Sequence, residues 1–168
     1  MIRSAKILLL GDIAVGKTSI AKRLVFDRFD SDYKTTIGVN VLSHEVTVYD
    51  GGANKMRLVI WDTDGDFSQA IFNTTYVVGA AGAIVVADTT RPATISSMAD
   101  LIEGFEERFP GRPVAAVLNK VDLAEPPALD ALRPSLRTRE FTRTSALTGE
   151  GVGELFNAMA IAIRRRDL

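Results

Sequence analysis

Residues Gly11 to Thr18 read G-D-I-A-V-G-K-T. Two glycines five positions apart, followed directly by Lys17 and Thr18, have the spacing of a loop that cradles phosphate groups. The chemistry is electrostatic. Loop N–H groups, those of Ala14, Val15, Gly16 and Ser19 among them, and the start of a following helix present partial positive charge to an anion. Lys17 adds a full charge near the outer phosphates, and the Thr18 hydroxyl suits a Mg²⁺ ion.

Three further polar clusters stand where short apolar runs end. In Trp61-Asp62-Thr63-Asp64-Gly65, an Asp can hold a Mg²⁺ water and a Gly can bring its N–H against a terminal phosphate. In Asn119-Lys120-Val121-Asp122, the Asp122 carboxylate can accept from both the N1–H and the exocyclic amine of guanine. Adenine lacks that donor pair, so the carboxylate rejects it. In Thr144-Ser145-Ala146, a backbone N–H can mark the guanine O6. Taken singly, each cluster reads as a turn or cap. Their order along the chain, each at a strand end, argues for a nucleotide site.

These clusters need a scaffold. Lys6 to Leu10 reads as a buried strand, and Ile20, Ala21, Leu24 and Val25 follow at helical spacing. Val39 to Tyr49 reads as a strand whose apolar alternation changes phase, which predicts a bulge near Ser43-His44. Asp50 to Asn54 is a turn cluster, and Met56, Leu58 and Ile60 alternate in the returning strand of a hairpin. Ala83 to Ala87 and Val114 to Leu118 are short apolar runs of the kind found in strands covered on both faces. Met98, Leu101, Ile102, Phe105 and Phe109 form a helical stripe, Pro127 to Leu136 a weaker helix, and Val152, Leu155, Phe156, Met159, Ala160 and Ile163 the last stripe. Strands alternating with helices predict an α/β fold: a mostly parallel six-stranded sheet, one antiparallel edge strand from the hairpin, and helices on both faces. Ligands of such sheets bind beyond the carboxyl ends of the strands, where all four clusters gather.

Composition narrows the class. The 168 residues suit one domain spanning the chain, and 46% hydrophobic with 24% charged residues fits a globular protein. A net charge of −1 gives no general attraction to nucleic acid or anionic lipid. The absence of cysteine leaves these 168 residues without disulfides, thiolate metal sites, a thiol nucleophile or a Cys for a lipid anchor. Met1-Ile2-Arg3 runs straight into the first strand, leaving no room for a signal peptide, and no apolar run reaches membrane-spanning length. The expectation is a cytoplasmic monomer. Arg164-Arg165-Arg166 complements a helix C-terminus. His44 reads as a solvated or satisfied histidine on the side that meets partners. Trp61, Phe105, Phe109 and Phe156 read as core.

The whole set resembles the Ras superfamily of small GTPases, most of all its Rab-like branch, from Lys6 to about Arg166. Gly11 to Thr18 resembles the phosphate loop, Tyr33 to Val39 the first switch and Trp61 to Gly65 the start of the second. Asn119 to Asp122 resembles the guanine-specificity box, and Thr144 to Leu147 the last box. The resemblance implies a GTP/GDP switch with Mg²⁺. Lys17, Thr36, Gly65 and Asp66 would act in hydrolysis. Thr18, Thr36 and Asp62 would hold the metal. Phe29 would lie edge-on to guanine, the Lys120 stem would cover one face, and Ser145, Ala146 and Leu147 would close the base site. Loss of the γ-phosphate would release Thr36 and Gly65, and effector, exchange and activating proteins would read the two switch segments.

Four residues depart from the family pattern. Asp66 stands where a glutamine commonly positions the attacking water; ionised, it accepts a hydrogen bond from water but donates none. Asp64 replaces a small neutral residue, and a carboxylate about 4 Å from the γ-phosphate costs on the order of 4 kcal/mol at an effective dielectric near 20. Ile13 crowds the space of an arginine finger. Leu147 replaces a Lys, keeping the packing and losing the charge. Two readings therefore stand: a GTPase with slow hydrolysis, and a guanine-nucleotide-binding module that does not hydrolyse and acts through partners. Asp64 and Asp66 can also be solvated loop carboxylates.

Overall fold

The computed structural model describes residues 2–32, 34–127 and 140–167. The expected helix from Pro127 to Leu136 lies, beyond Pro127, outside the described residues, as does Tyr33. The described residues form six strands, β1 (Arg3–Leu10), β2 (Val39–Tyr49), β3 (Ala53–Thr63), β4 (Ala80–Asp88), β5 (Val114–Asn119) and β6 (Phe141–Arg143). Among the same residues there are three α-helices, α1 (Lys17–Phe26), α2 (Pro92–Arg108) and α3 (Val152–Arg166). The sheet order is β2-β3-β1-β4-β5-β6. Only the β2–β3 pairing is antiparallel; the other four neighbours pair in parallel. This is the expected sheet.

Alternation along β1 explains the layering. Ile7 and Leu9 face a core shared with Ile20 and Ala21 of α1 and with Leu155, Phe156 and Ile163 of α3. Leu8 and Leu10 face the opposite core, shared with Met98, Ile102 and Phe105 of α2. A strand buried on both faces must be apolar at every position, which is why Ile7-Leu8-Leu9-Leu10 has no polar residue. The expected core aromatics Phe105, Phe109 and Phe156 are buried. Trp61 is half-buried, with the Lys6 ammonium 3.5 Å from its ring centroid.

One expectation fails. The β2–β3 register runs unbroken from Val39 opposite Thr63 to Tyr49 opposite Ala53, so no bulge stands at Ser43-His44. The phase change resolves by exposure instead: Leu42 and Val46 pack toward α1 and α3, while Val41 stands 49% exposed on the other face. An edge hairpin tolerates an exposed valine more readily than a lost ladder bond. His44 shares the face of Leu42 and Val46 and is half-buried there, rather than turned toward a partner surface.

The second-switch segment forms 3₁₀ turns over Gly65–Asn73 and Thr75–Val77. Ser68 interrupts the first with φ 46° and ψ −133°. Ile71 and Val77 anchor the segment in the α2-side core, with Phe67, Phe72 and Tyr76 packed against it. No helix among the described residues is long and apolar enough to cross a membrane.

Phe156 is fully buried and Tyr49 is 80% exposed. Phe156→Ala is expected to lower unfolding free energy in urea by about 3–5 kcal/mol. Tyr49→Ala should change it by no more than about 0.5 kcal/mol. Equal effects would contradict the layering.

Candidate functional site

The strongest local feature is the state of the carbonyls in the loop between β1 and α1. Gly11 and Asp12 carbonyls both accept from Lys17 Nζ at 2.8 Å. The Ile13 carbonyl accepts from both terminal nitrogens of Arg91, at 3.1 and 2.9 Å. The Ala14 carbonyl accepts from Lys120 Nζ at 2.9 Å, and that of Val15 from Asn119 Nδ2 at 2.9 Å. The next, from Gly16, takes the Ile20 N–H at 2.9 Å and starts α1. With every carbonyl committed, the loop's N–H groups remain for a ligand, which is the arrangement of an anion nest.

Backbone geometry here is demanding. Ala14 has φ 62° and Lys120 φ 67°, left-handed conformations that are uncommon outside glycine and cluster at functional sites. A Cβ on Gly16 would lie 2.2 Å from Asn119 Nδ2. On Gly65 it would lie 2.4 Å from the Ile13 nitrogen. Gly65 is thus where the second-switch segment touches the phosphate loop, and only a residue without a side chain fits.

Lys17 is buried, 6% exposed. Burial lowers its ammonium to about 8, against the pull of Asp62, Asp12 and Asp64, and Arg91 adds to the lowering. An anion between these cations restores the charge balance.

Three oxygen-bearing side chains meet at the start of α1. Thr18 Oγ1 donates to Asp62 Oδ2 at 2.5 Å and lies 2.8 Å from Thr36 Oγ1. Asp62 is fully buried, and its Oδ1 has no hydrogen-bond partner. Burial raises its pKa, opposed by the Thr18 bond and by Lys17. Two hydroxyls, one carboxylate and a vacant buried oxygen fit a hard cation of the Mg²⁺ kind, which takes few protein ligands and completes its shell with water and phosphate oxygens. Among the described residues no group of three or more His, Asp or Glu offers an alternative metal site.

The other end of the site is built by β5 and the loop after β6. Asn119 Oδ1 accepts from Thr144 Oγ1 at 3.0 Å and, more loosely, from the Ala146 N–H at 3.3 Å. Ser145 Oγ donates to Asp122 Oδ1 at 2.7 Å and accepts from the Thr148 N–H at 3.1 Å. The carboxylate of Asp122 is therefore oriented, with its second oxygen unclaimed by this contact.

Between the two ends lies a cavity of about 400 Å³. Ala14, Gly16, Lys17, Thr18, Ser19, Phe29, Thr36, Gly65, Asn119, Lys120, Asp122, Ala146 and Leu147 all line it, as do Ile13 and Asp64. Four of the expected residues do not. Val15 is buried and contributes backbone; Ser145 stands behind Asp122; Asp62 reaches the cavity through Thr18; Asp66 is exposed on the 3₁₀ turn. Asp64 accepts the Asp66 N–H at 2.9 Å through Oδ1, so part of its charge is used in capping that turn.

Sequence reading passed over a fourth strand-end cluster, Asp88-Thr89-Thr90-Arg91. Asp88 is buried and pairs with Lys120 at 2.8 Å. Burial alone would raise its pKa; bonds from Lys120 and Thr90 outweigh that and hold the carboxyl below its ordinary range. Arg91 Nε stands 3.9 Å from the same carboxylate while its fork holds Ile13. The signal was present: polar residues directly after the apolar run of β4, on the same sheet edge.

Comparison with known proteins agrees with this geometry. A family model described as "Ras of Complex, Roc, domain of DAPkinase" matches residues 6–122. The chain is 34% identical over 119 residues to the GTP-binding nuclear protein GSP1 of Encephalitozoon cuniculi, covering 70% of this chain and 55% of that protein. It is 36% identical over 168 residues to the GTP-binding protein ypt5 of Schizosaccharomyces pombe, covering 96% of this chain and 79% of that protein. The family match over more than half the chain, and the second similarity over nearly all of it, establish that the chain belongs to the Ras superfamily of small GTPases, on its Rab-like side.

Proposed function

We propose that this chain is a switch that binds GTP and GDP with Mg²⁺ and hydrolyses GTP slowly. The observation that supports it most is the phosphate loop with its carbonyls from Gly11 to Val15 all held by side-chain donors. The loop faces one end of a cavity that carries an oriented carboxylate, Asp122, at the other.

Each residue takes a role its chemistry allows. Lys17 leaves the Gly11 and Asp12 carbonyls only as far as needed to meet the β- and γ-phosphates. Thr18 and Thr36 supply hydroxyls and Asp62 a carboxylate to Mg²⁺, which neutralises phosphate charge when bound. Gly65, held against Ile13 by its lack of a side chain, offers its N–H toward the γ-phosphate. Asp122 reads the guanine N1–H and amine, the Ala146 N–H reads O6, and Phe29 and the Lys120 stem cover the ring. Leu147, 49% exposed, gives apolar cover without charge.

Switching follows from the contacts of Thr36 and Gly65. Both would lose an anchor when the γ-phosphate departs, and neither belongs to a strand or α-helix. The surfaces they carry, including Ile37 at 89% exposure, would be read by partner proteins.

Hydrolysis is slow in this reading because Asp66 is exposed on its turn and, as a carboxylate, has no proton to offer the γ-phosphate. Nucleotide extracted from the purified protein should be guanine, with GTP converted to GDP in the presence of Mg²⁺. Adenine nucleotide, or none, would overturn the assignment. Asp66→Gln is expected to raise single-turnover hydrolysis by about tenfold or more. A rate no faster than that of the unsubstituted protein would remove the explanation.

Asp64 lines the cavity beside the expected γ-phosphate position. Its capping bond to Asp66 tempers but does not remove its repulsion of that group. Asp64→Ala should shift the GTP-to-GDP affinity ratio toward GTP by several-fold, about tenfold at most, the solvent-exposed side screening the rest. Equilibrium titration of both nucleotides measures it, and an unchanged ratio would refute the effect.

A further inference from the structure

Arg23 lies on α1, outside every motif recognised in the sequence. Its side chain is only 17% exposed. Nε donates to the Ala146 carbonyl at 2.8 Å and Nη2 to the Leu147 carbonyl at 2.6 Å. These are consecutive peptides of the loop that borders the base end of the cavity. A guanidinium holds its donors in a rigid fork, so the two carbonyls are fixed relative to each other and to α1.

The same residue also reaches the end of its own helix. Nη1 stands 3.4 Å from Oδ1 of Asp27, a carboxylate whose side chain is 94% exposed. Asp27 ends α1 in a left-handed turn, φ 51°, and gives its N–H to the Arg23 carbonyl at 3.0 Å. Two residues on is Phe29, which lines the cavity. Gly149 lies alongside the Arg23 stem: a Cβ built there would be 3.6 Å from Cδ. A single side chain thus joins the loop that carries Ala146 to the turn that leads to Phe29.

We infer that Arg23 is a positioning residue that clamps the base site shut, setting how long guanine nucleotide stays and how sharply guanine is separated from adenine. This rests on the guanine reading above. The Ser145 N–H is held by the Glu150 carbonyl at 3.0 Å, and Arg23 holds the carbonyls of Ala146 and Leu147. The peptide that carries the Ala146 N–H is held by the Gly149 N–H on the Ser145 carbonyl at 2.8 Å and loosely by Asn119 Oδ1 at 3.3 Å, and Arg23 fixes the two peptides that follow it. Guanine presents an acceptor at that point and adenine an amine donor. A firmly aimed N–H therefore welcomes one and opposes the other. Release the clamp and the carbonyls of Ala146 and Leu147 lose their anchor on α1, so the loop that carries this N–H loosens, which shortens residence and blurs the choice.

The test compares Arg23→Ala, Arg23→Lys and the unsubstituted protein, using release of a fluorescent GDP analogue and competition between GDP and ADP. Arg23→Ala is expected to release GDP about tenfold faster and to lower the GDP-over-ADP preference by a similar factor. Lysine keeps the charge but not the fork, and should fall between. GDP release and base preference at unsubstituted values in Arg23→Ala would overturn the inference. So would equal weakening of GDP and ADP, which marks a merely structural residue. Should Arg23→Ala fail to fold, the Arg23→Lys comparison decides by the same two readouts. Absence of a GDP preference in the unsubstituted protein would instead remove the guanine reading itself, so the two failures are separable.

Discussion

The site depends on the carbonyls of five consecutive residues, Gly11 to Val15, each being held by a side-chain donor. A peptide unit has a donor end and an acceptor end, so committing the acceptors to the protein leaves the donors for a ligand. The anchors come from four side chains: Lys17 on α1, Asn119 and Lys120 at the end of β5, and Arg91 just before α2. Strand order makes this possible. β4 lies beside β1 and β5 beside β4, so their carboxyl ends deliver Arg91, Asn119 and Lys120 to the rim of the loop after β1. Removal of one anchor leaves a carbonyl in a low-dielectric setting without a partner, at about 1–3 kcal/mol. Several such anchors make the loop preorganised rather than formed on binding.

Asp88 shows how the two ends of the cavity are joined. Its buried carboxylate holds the Lys120 ammonium, which also caps Ala14, while Arg91 reaches from the same strand end to Ile13. Breaking the Asp88–Lys120 pair would strand a charge inside the protein, which is strongly destabilising. Lys120 belongs to the sequence cluster proposed to read the base, yet its ammonium is bonded to the phosphate loop. In that reading base recognition and phosphate recognition share a side chain. A nucleotide that fits one end only would disturb the bonding of the other.

Residues that act at their own positions in the sequence were legible from it. The glycines, Lys17, Thr18, Asp62, Asn119 and Asp122 carry their chemistry in residue type and spacing, and strand periodicity placed them on one edge. Residues that act across the fold were not. Arg23 reads as an ordinary charged position on a helix, and its link to Ala146 spans 123 positions. Arg91 reads as a loop cation, and its link to Ile13 spans 78. Only topology brings such pairs together. The β2 bulge failed for a related reason: alternation describes which face a side chain takes, and Val41 shows that an edge strand can leave an apolar residue in solvent. Asp64 was legible as a misplaced charge but not as the cap of a turn, because the 3₁₀ conformation of the segment has no strong sequence signature.

The two unusual carboxylates flank the contact where the second-switch segment meets the phosphate loop: Asp64 is half-buried and caps the turn, while Asp66 is exposed on it. Gly11 cannot take a side chain, since a Cβ there would lie 2.3 Å from the Val86 carbonyl oxygen, and neither can Gly65. From Gly65 onward the chain runs in 3₁₀ turns with a kink at Ser68, held to α2 by apolar contacts that leave Asp66 in solvent. Segments with short-range hydrogen bonds and exposed polar faces open at low free energy. Charge placed there alters the energy of the nucleotide-bound arrangement without dismantling the walls that hold the nucleotide. On the reading proposed above, affinity would rest on the anchored loop and the base site, and the balance between GTP and GDP states on the second-switch segment, so the two could be set independently in a single small sheet.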